Sequence, residues 1–328
     1  MYPKQLSTLS RLEDETRSWI RKNIENRAAD RMAQEWSTTR SQIRDHISSF
    51  WKRYSLRGQS LSSAKYGIEL HMVRNDFRKS LETFTGNARQ LITVARNQAY
   101  ANSYLRSAWM LDQVTPPNIE VKFDHTVLHR LKESDYRIVK RNVSRLREAD
   151  DKKDAIKKIT PEDRASAFVT AYETSLWSTF MLGLMSGRDE GQLRSAAGNE
   201  PVSYPAQRME NYLDTLIHAS VIQEVEDGVE DLGDENDDII DDWIWQSRED
   251  GSVCEDCAAN DQQRRSEVDD DIPLHPWCRC YWRLVPKGWD SLYDRDIPGQ
   301  EGSMVVMGSD GRPAAFLTVA FDQWIAKN

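Results

Sequence analysis

Along the first third of the chain, apolar residues return every third or fourth position, and the positions between them are densely charged. Ile20, Ile24, Ala28, Met32 and Trp36 stand four apart, and Ile43, Ile47, Phe50 and Tyr54 carry the stripe onward. Val73, Phe77, Leu81, Phe84, Ala88, Leu91 and Ala95 form a third run with mixed steps of three and four. This is the spacing of helices that each bury one seam. No proline falls between Pro3 and Pro116, and only Gly58, Gly67 and Gly86 punctuate the stretch, so long helices are predicted over 1–115. Unbroken, residues 65–111 would make a rod of roughly 70 Å at 1.5 Å per residue. Thr85-Gly86 is the expected break.

Beyond Pro116-Pro117 the pattern changes. Residues 119–123 read as a short strand, and 125–158 as a very basic helix carrying Lys140, Arg141, Arg145, Arg147, Lys152, Lys153, Lys157 and Lys158. Thr160-Pro161-Glu162-Asp163 is a helix start, with Thr as cap, Pro in the first position and acids in the first turn. The predicted helix runs to about Gly187 and buries Phe168, Tyr172, Leu176 and Phe180. Residues 187–206 read as loop, and another helix is expected around 209–225. From Glu224 to Asp242 there are eleven carboxylates and no Lys or Arg. Their order, DGVEDLGDENDD, does not fit a calcium-binding EF-hand loop, so a solvated, mobile insertion is expected. Trp243, Trp245, Trp277, Trp282 and Trp289 then crowd together, and 304–319 reads as a hairpin.

The fold class expected from this pattern is mainly α. Long N-terminal helices (1–115) precede a basic helical segment and core helix (116–187) and an acidic insertion (188–242). A smaller α+β module with a Cys/His zinc-type site (243–290) and a C-terminal hairpin and tail (291–328) complete the chain.

Charge divides the chain in two. Residues 1–160 hold 31 Lys and Arg against 19 Asp and Glu, a balance of +12, while 161–328 hold 13 against 34, a balance of −21. Such a split suits different partners for each half, with DNA for the basic one; the alternative is two ordinary solvated surfaces. Only Phe123 and Tyr136 are aromatic near the basic helix, so base stacking is not expected. The N-terminus lacks the apolar core of a secretory signal, and the most apolar stretch, 176–185, is too short to span a bilayer. A soluble protein made in a cytoplasm is expected, with no membrane partner.

In that compartment cysteines are thiols or metal ligands more often than disulfides. All four fall within 27 residues: Cys254, Cys257, Cys278 and Cys280, with His275 three before Cys278. A C-x-x-C knuckle brings two thiolates to one ion from a tight turn, and a second pair closes a tetrahedron. Five candidates compete for four positions. Cys254, Cys257, His275 and Cys278 give a Cys₃His site, and Cys280 in place of His275 is the alternative. Thiolate and imidazole suit zinc in a closed, structural role; two disulfides are the competing reading. Catalysis is not expected, nor a small-molecule substrate. The chain lacks H-E-x-x-H, the deaminase H-x-E…P-C-x-x-C, a Gly-rich phosphate loop and G-x-S-x-G.

The residues around the cysteines carry a resemblance. Trp243-Ile-Trp245, Ser247, Asp250, Val253, Cys254 and Cys257, then Leu274-His275-Pro276-Trp277-Cys278-Arg279-Cys280, resemble the C-terminal signature of Mu F-like head-morphogenesis proteins of bacteriophages. Thr170-Ala-Tyr-Glu173-Thr174 resembles a weakened form of that family's A-R-T-E-T helix, with Tyr172 where Arg is expected. The likeness covers roughly 164–290. A turn Gly usual after C-x-x-C is replaced by Asn260-Asp261-Gln262, of which Asn and Asp tolerate a left-handed backbone. The resemblance implies a structural minor head protein of a tailed phage. It would be assembled in the host cytoplasm and sit in the head interior or at the portal vertex. Its partners would be the portal and capsid proteins, and the basic half, 1–160, could meet packaged DNA. The rival class is a zinc-containing nucleic-acid-binding protein. Against it, Glu255, Asp256, Asp269, Asp270 and Asp271 surround the cysteines with charge that repels phosphate.

Overall fold

The computed structural model of the protein describes residues 3–55, 64–115, 120–128, 160–199, 206–247, 253–275, 277–286 and 320–328. In chain order these form α1 (Pro3–Ile20), a π-helical turn (Arg21–Glu25), α2 (Asn26–Ser55), α3 (Ala64–Val114), α4 (Pro161–Met185), α5 (Glu190–Asn199) and α6 (Ala206–Glu235). Then come β1 (Ile240–Gln246), α7 (Glu255–Ala259), a 3-10 turn (Arg265–Glu267), β2 (Tyr281–Pro286) and α8 (Phe321–Lys327). The fold is mainly helical, with one small antiparallel sheet. No described helix is long and apolar enough to cross a membrane. The expected hairpin at 304–319, and the expected basic helix beyond its helical start at 125–128, lie outside the described residues.

Compactness divides the chain into two units. One comprises 1–25, 96–152 and 221–328; the other 26–95 and 153–220.

In the second unit the predicted seams are the core. Ala28, Met32, Trp36, Ile43, Ile47 and Phe50 of α2, and Val73, Phe77, Leu81, Phe84, Ala88 and Ala95 of α3, are buried. Ile92 is buried where Leu91 was expected. A strict four-residue step overshoots a 3.6-residue turn by about 40° each time. The wider π turn at Arg21–Glu25 takes up part of that overshoot where the stripe begins. Trp36 sits between Phe84 and Tyr172, at ring separations of 5.1 and 4.9 Å. Phe180 meets Phe50 and Phe77 edge-on at 5.3 and 5.5 Å. Thus Tyr172 serves as core, while Glu173 beside it pairs with Arg78 at 3.2 Å.

Two expectations about this unit are corrected. Helix α3 does not break at Thr85-Gly86. A glycine costs a helix about 1 kcal/mol, which the burial of Phe84 and Ala88 on either side outweighs. The supposed loop at 187–206 contains α5, begun by reciprocal bonds between Asp189 and Gln192. Leu193 of that helix is buried beside Gly183, where an added Cβ would stand 2.5 Å from its side chain. The start of α4 is as predicted: Thr160 Oγ1 accepts the Asp163 N–H at 3.1 Å.

In the first unit, residues 96–114 of α3 and 221–235 of α6 meet backbone to backbone at Gly228. A Cβ there would lie 2.7 Å from the Tyr100 carbonyl oxygen and 3.1 Å from the Tyr104 nitrogen. Polar bonds run along this seam. Arg96 donates to Glu224, Ser103 to the Val225 carbonyl at 2.6 Å, and Tyr100 to Asp231 at 2.8 Å. Tyr104 donates to Glu235 and accepts the Asp124 N–H. The acidic run is therefore not a solvated insertion. It is the C-terminal half of α6 leading into β1, with Glu224, Glu226 and Asp231 buried.

The expected strand at 119–123 does not form over its described residues, 120–123, which carry no sheet pairing. The Asn236 side chain takes the place of a partner strand. It accepts the Lys122 N–H at 2.8 Å and donates to the Lys122 carbonyl at 2.7 Å. Helix α8 caps the same core with Phe321 and Trp324, and Trp324 Nε1 donates to Asp112 at 2.9 Å.

Candidate metal centre

Strands β1 and β2 form the base of the site. They pair antiparallel with Trp245 opposite Trp282 and Trp243 opposite Leu284, after a bulge between Ile240 and Asp242. Trp245 and Trp282 meet edge-to-face at 5.2 Å and 85°, with Trp245 fully buried. The Trp243 ring lies against Gly233 of α6, where any Cβ would fall 2.2 Å from it. Beneath these rings the buried cluster is Trp245, Cys257, Ile272, Cys278, Cys280 and Trp282.

Each sulfur is placed by a local device. Cys254 is the N-cap of α7, its sulfur accepting the Cys257 N–H at 3.4 Å. That turn brings residues 254 and 257 together, as the C-x-x-C spacing predicts. A second turn, in which the Cys278 N–H bonds the His275 carbonyl at 2.9 Å, folds His275 back over Cys278. Between the two, Gln262 holds a left-handed backbone (φ 62°). Its N–H bonds the Trp245 carbonyl, and the Gln263 carbonyl accepts from Trp245, each at 2.8 Å. The turn is where the sequence places it, but the left-handed position falls on Gln262 and not on Asn260 or Asp261.

All five predicted donors come together. Cys254, Cys257 and His275 form one triad and Cys257, Cys278 and Cys280 another, each with its donor atoms within 4.8 Å of one another. His275 Nε2 stands 3.3 Å from the sulfurs of both Cys254 and Cys257, and Cys257 stands 3.8 Å from Cys278. Cys257 is the shared member. The group is able to hold a metal ion.

Electrostatics favour a cation here. Hydrogen bonding from Cys280 lowers the Cys278 thiol to about 5 against the opposing effect of burial. Burial, then hydrogen bonding within the cluster, raises Cys257 to about 12; the same Cys278 bond holds Cys280 up. One thiolate forms readily and its neighbours are then held neutral, because like charges this close oppose one another. A cation bound here would favour the ionised form of Cys257 and Cys280.

The other signature residues are spread around the site. Ser247 is buried and its N–H bonds Asp261 at 2.7 Å. Val253 and Leu274 pack on the cluster, and Trp277 is exposed. Asp250 and Pro276 lie outside the described residues.

A residue the sequence reading missed ties the module to the helices. Glu226 accepts the Trp282 N–H at 3.0 Å and pairs with Arg17 at 2.8 Å. Arg17 in turn lies over the Tyr281 ring, 3.8 Å from its centre. Burial pushes the Glu226 carboxyl up, and Arg17 pulls it back. Nothing in the sequence marks Glu226 among its acidic neighbours except that Val225, Val229 and Leu232 keep helical spacing around it.

Compared with models of known protein families, with curated proteins and with solved structures, the chain matches none.

Proposed function

We propose that this chain is a structural minor head protein of a tailed bacteriophage, of the Mu F-like head-morphogenesis type, whose C-terminal module is held by one zinc ion. The observation that carries the reading is that the cysteines and His275 of the C-terminal signature, with Trp245, gather at one place. The two tryptophans of W-x-W frame the cluster through β1, and C-x-x-C with H-P-x-C-R-C supplies all five of its donors. A signature whose members converge on one metal-competent centre is under a common physical constraint; a chance string is not.

Zinc suits the donors. At Zn–S bonds of about 2.3 Å, two thiolates on a tetrahedral ion stand about 3.8 Å apart, and a thiolate and imidazole about 3.5 Å. The Cys257–Cys278 distance of 3.8 Å and the 3.3 Å sulfur–nitrogen distances are close to this before any ion draws them in. A centre with four or more protein donors leaves no open position for substrate, so its role is structural. The partners in this reading are the portal and capsid proteins, in the head interior or at the portal vertex. DNA contact through the basic half belongs to the same proposal.

Quantitative mass spectrometry of purified procapsids and virions tests it. The protein should be present at a copy number far below the major capsid protein, and deleting its gene should leave shells that assemble but yield fewer infectious particles. Absence from both particles with normal yield after deletion rejects the reading and favours a zinc-containing nucleic-acid-binding protein.

A further inference from the structure

Helix α1 buries an acid that makes no direct ion pair among the described residues. Glu13 is 6% exposed, and its Oε2 has no hydrogen-bond partner. One turn along, Thr16 is 5% exposed and its hydroxyl is likewise without a partner. Both side chains line a cavity of about 20 Å³, together with Ser103 and Ser107 of α3, Val229 of α6 and Leu284 of β2. The cavity is thus lined by two residues with an unpartnered buried oxygen and has room for about one or two waters.

The titratable and charged groups facing Glu13 come from three elements. Asp14 and Arg17 lie on α1 itself, Glu226 on α6, and Tyr281 and Arg283 on β2. Both guanidinium groups are engaged elsewhere, Arg17 with Glu226 and the Tyr281 ring, and Arg283 with Gln246 at 3.1 Å. A buried carboxylate without a direct partner is costly, and taking up a proton is its ordinary escape.

We propose that this cavity is an internal proton and water site. Glu13 carries its proton in the folded protein, water bridges it to Thr16, and loss of the proton weakens the hold of α1. Burial pushes the Glu13 carboxyl up to about 8, against the pull of Arg283 and then Arg17. In the unfolded chain a Glu titrates near about 4.3. The site's contribution to stability is therefore complete below that value and is lost as pH rises through about 8. Glu226 shifts in the same direction, so only the difference between wild type and a Glu13 variant isolates the site.

The experiment is a pH series on the full chain, wild type beside Glu13→Gln. Gln replaces the acid O–H with an amide N–H, so E13Q should unfold at the wild-type midpoint below about pH 4.3 and should be the more stable of the two at pH 6. Between pH 6 and 8 the wild-type unfolding constant should rise, relative to that of E13Q, by up to tenfold per pH unit. Infrared difference spectra of the folded proteins should show a protonated carboxyl band in wild type at pH 6, absent from E13Q and fading above about pH 8. A crystal structure should place water between Glu13 and Thr16. If E13Q does not fold, Glu13→Leu takes its place in both the unfolding series and the infrared difference. No such band at pH 6, a pH slope unchanged by E13Q, or a dry cavity overturns the proposal.

Discussion

His275 and Cys280 compete for one place around the ion, and their surroundings give them different work. His275 Nε2 is equidistant from Cys254 and Cys257, as a ligand should be, whereas Cys280 hydrogen-bonds to Cys278 and is held protonated by it. We expect His275→Ala to lower zinc affinity as severely as Cys254→Ser. Cys280→Ser, which removes a supporting partner, should cost about 10- to 100-fold. Competition with a chromophoric chelator measures all three, and the reverse ranking would exchange the two roles. Local chemistry made this much of the site legible, because C-x-x-C and H-P-x-C each close a turn on themselves. Gln262 was less legible: the turn forms where Asn and Asp would suit it, yet its strained position is taken by a residue with no preference for it. The tethering role of Glu226 was not legible at all, since its partners, Arg17 and the Trp282 N–H, are remote in sequence.

Among the elements, helices with one apolar stripe were predicted well because a 3.6-residue period is written locally. The acidic stretch was misread because its carboxylates were weighed without their donors. Tyr100, Tyr104 and Arg96 lie more than 120 residues away in sequence from Asp231, Glu235 and Glu224. β1 was obscured for a related reason: its IDDWIWQ pattern carries two adjacent Asp and no regular alternation, and only the facing strand makes sense of it. The seam of α3 with α6 offers a test in which sign decides. Helix propensity alone favours Ala over Gly by about 1 kcal/mol. Gly86 has nothing within 4 Å of an added Cβ, so Gly86→Ala should stabilise the protein by up to that amount. Gly228→Ala should instead destabilise it by about 1–3 kcal/mol, because the obstructing atoms are backbone and the helices must part. Urea unfolding of the two variants against wild type gives the comparison. Stabilisation by both would mean that the close approach at Gly228 is not maintained.

At the scale of the whole molecule, each unit is assembled from stretches far apart in the chain, so divisions drawn along the sequence cannot reproduce them. Residues 1–25, 96–152 and 221–328 belong together because α1, the end of α3, the end of α6 and the strands share one buried cluster and its polar seams. Composition along the chain registers none of this, since a seam needs both of its sides. The division predicts how the protein responds to loss of the metal. Metal-binding free energy at a closed Cys/His centre is folding free energy for the residues around it. Trp245 and Trp282 pack with the cysteine cluster, whereas the core of the other unit, around Trp36, Phe84 and Phe180, holds none of the four cysteines. Chelation under reducing conditions should therefore abolish amide-exchange protection in β1, α7 and β2 and leave that of α2, α4 and α5 near its original level. The helical circular-dichroism signal should fall only slightly, and protection should return when zinc is restored. Protein that contains no metal as purified, or strands whose protection survives its removal, would show that the tryptophan packing holds the module without an ion.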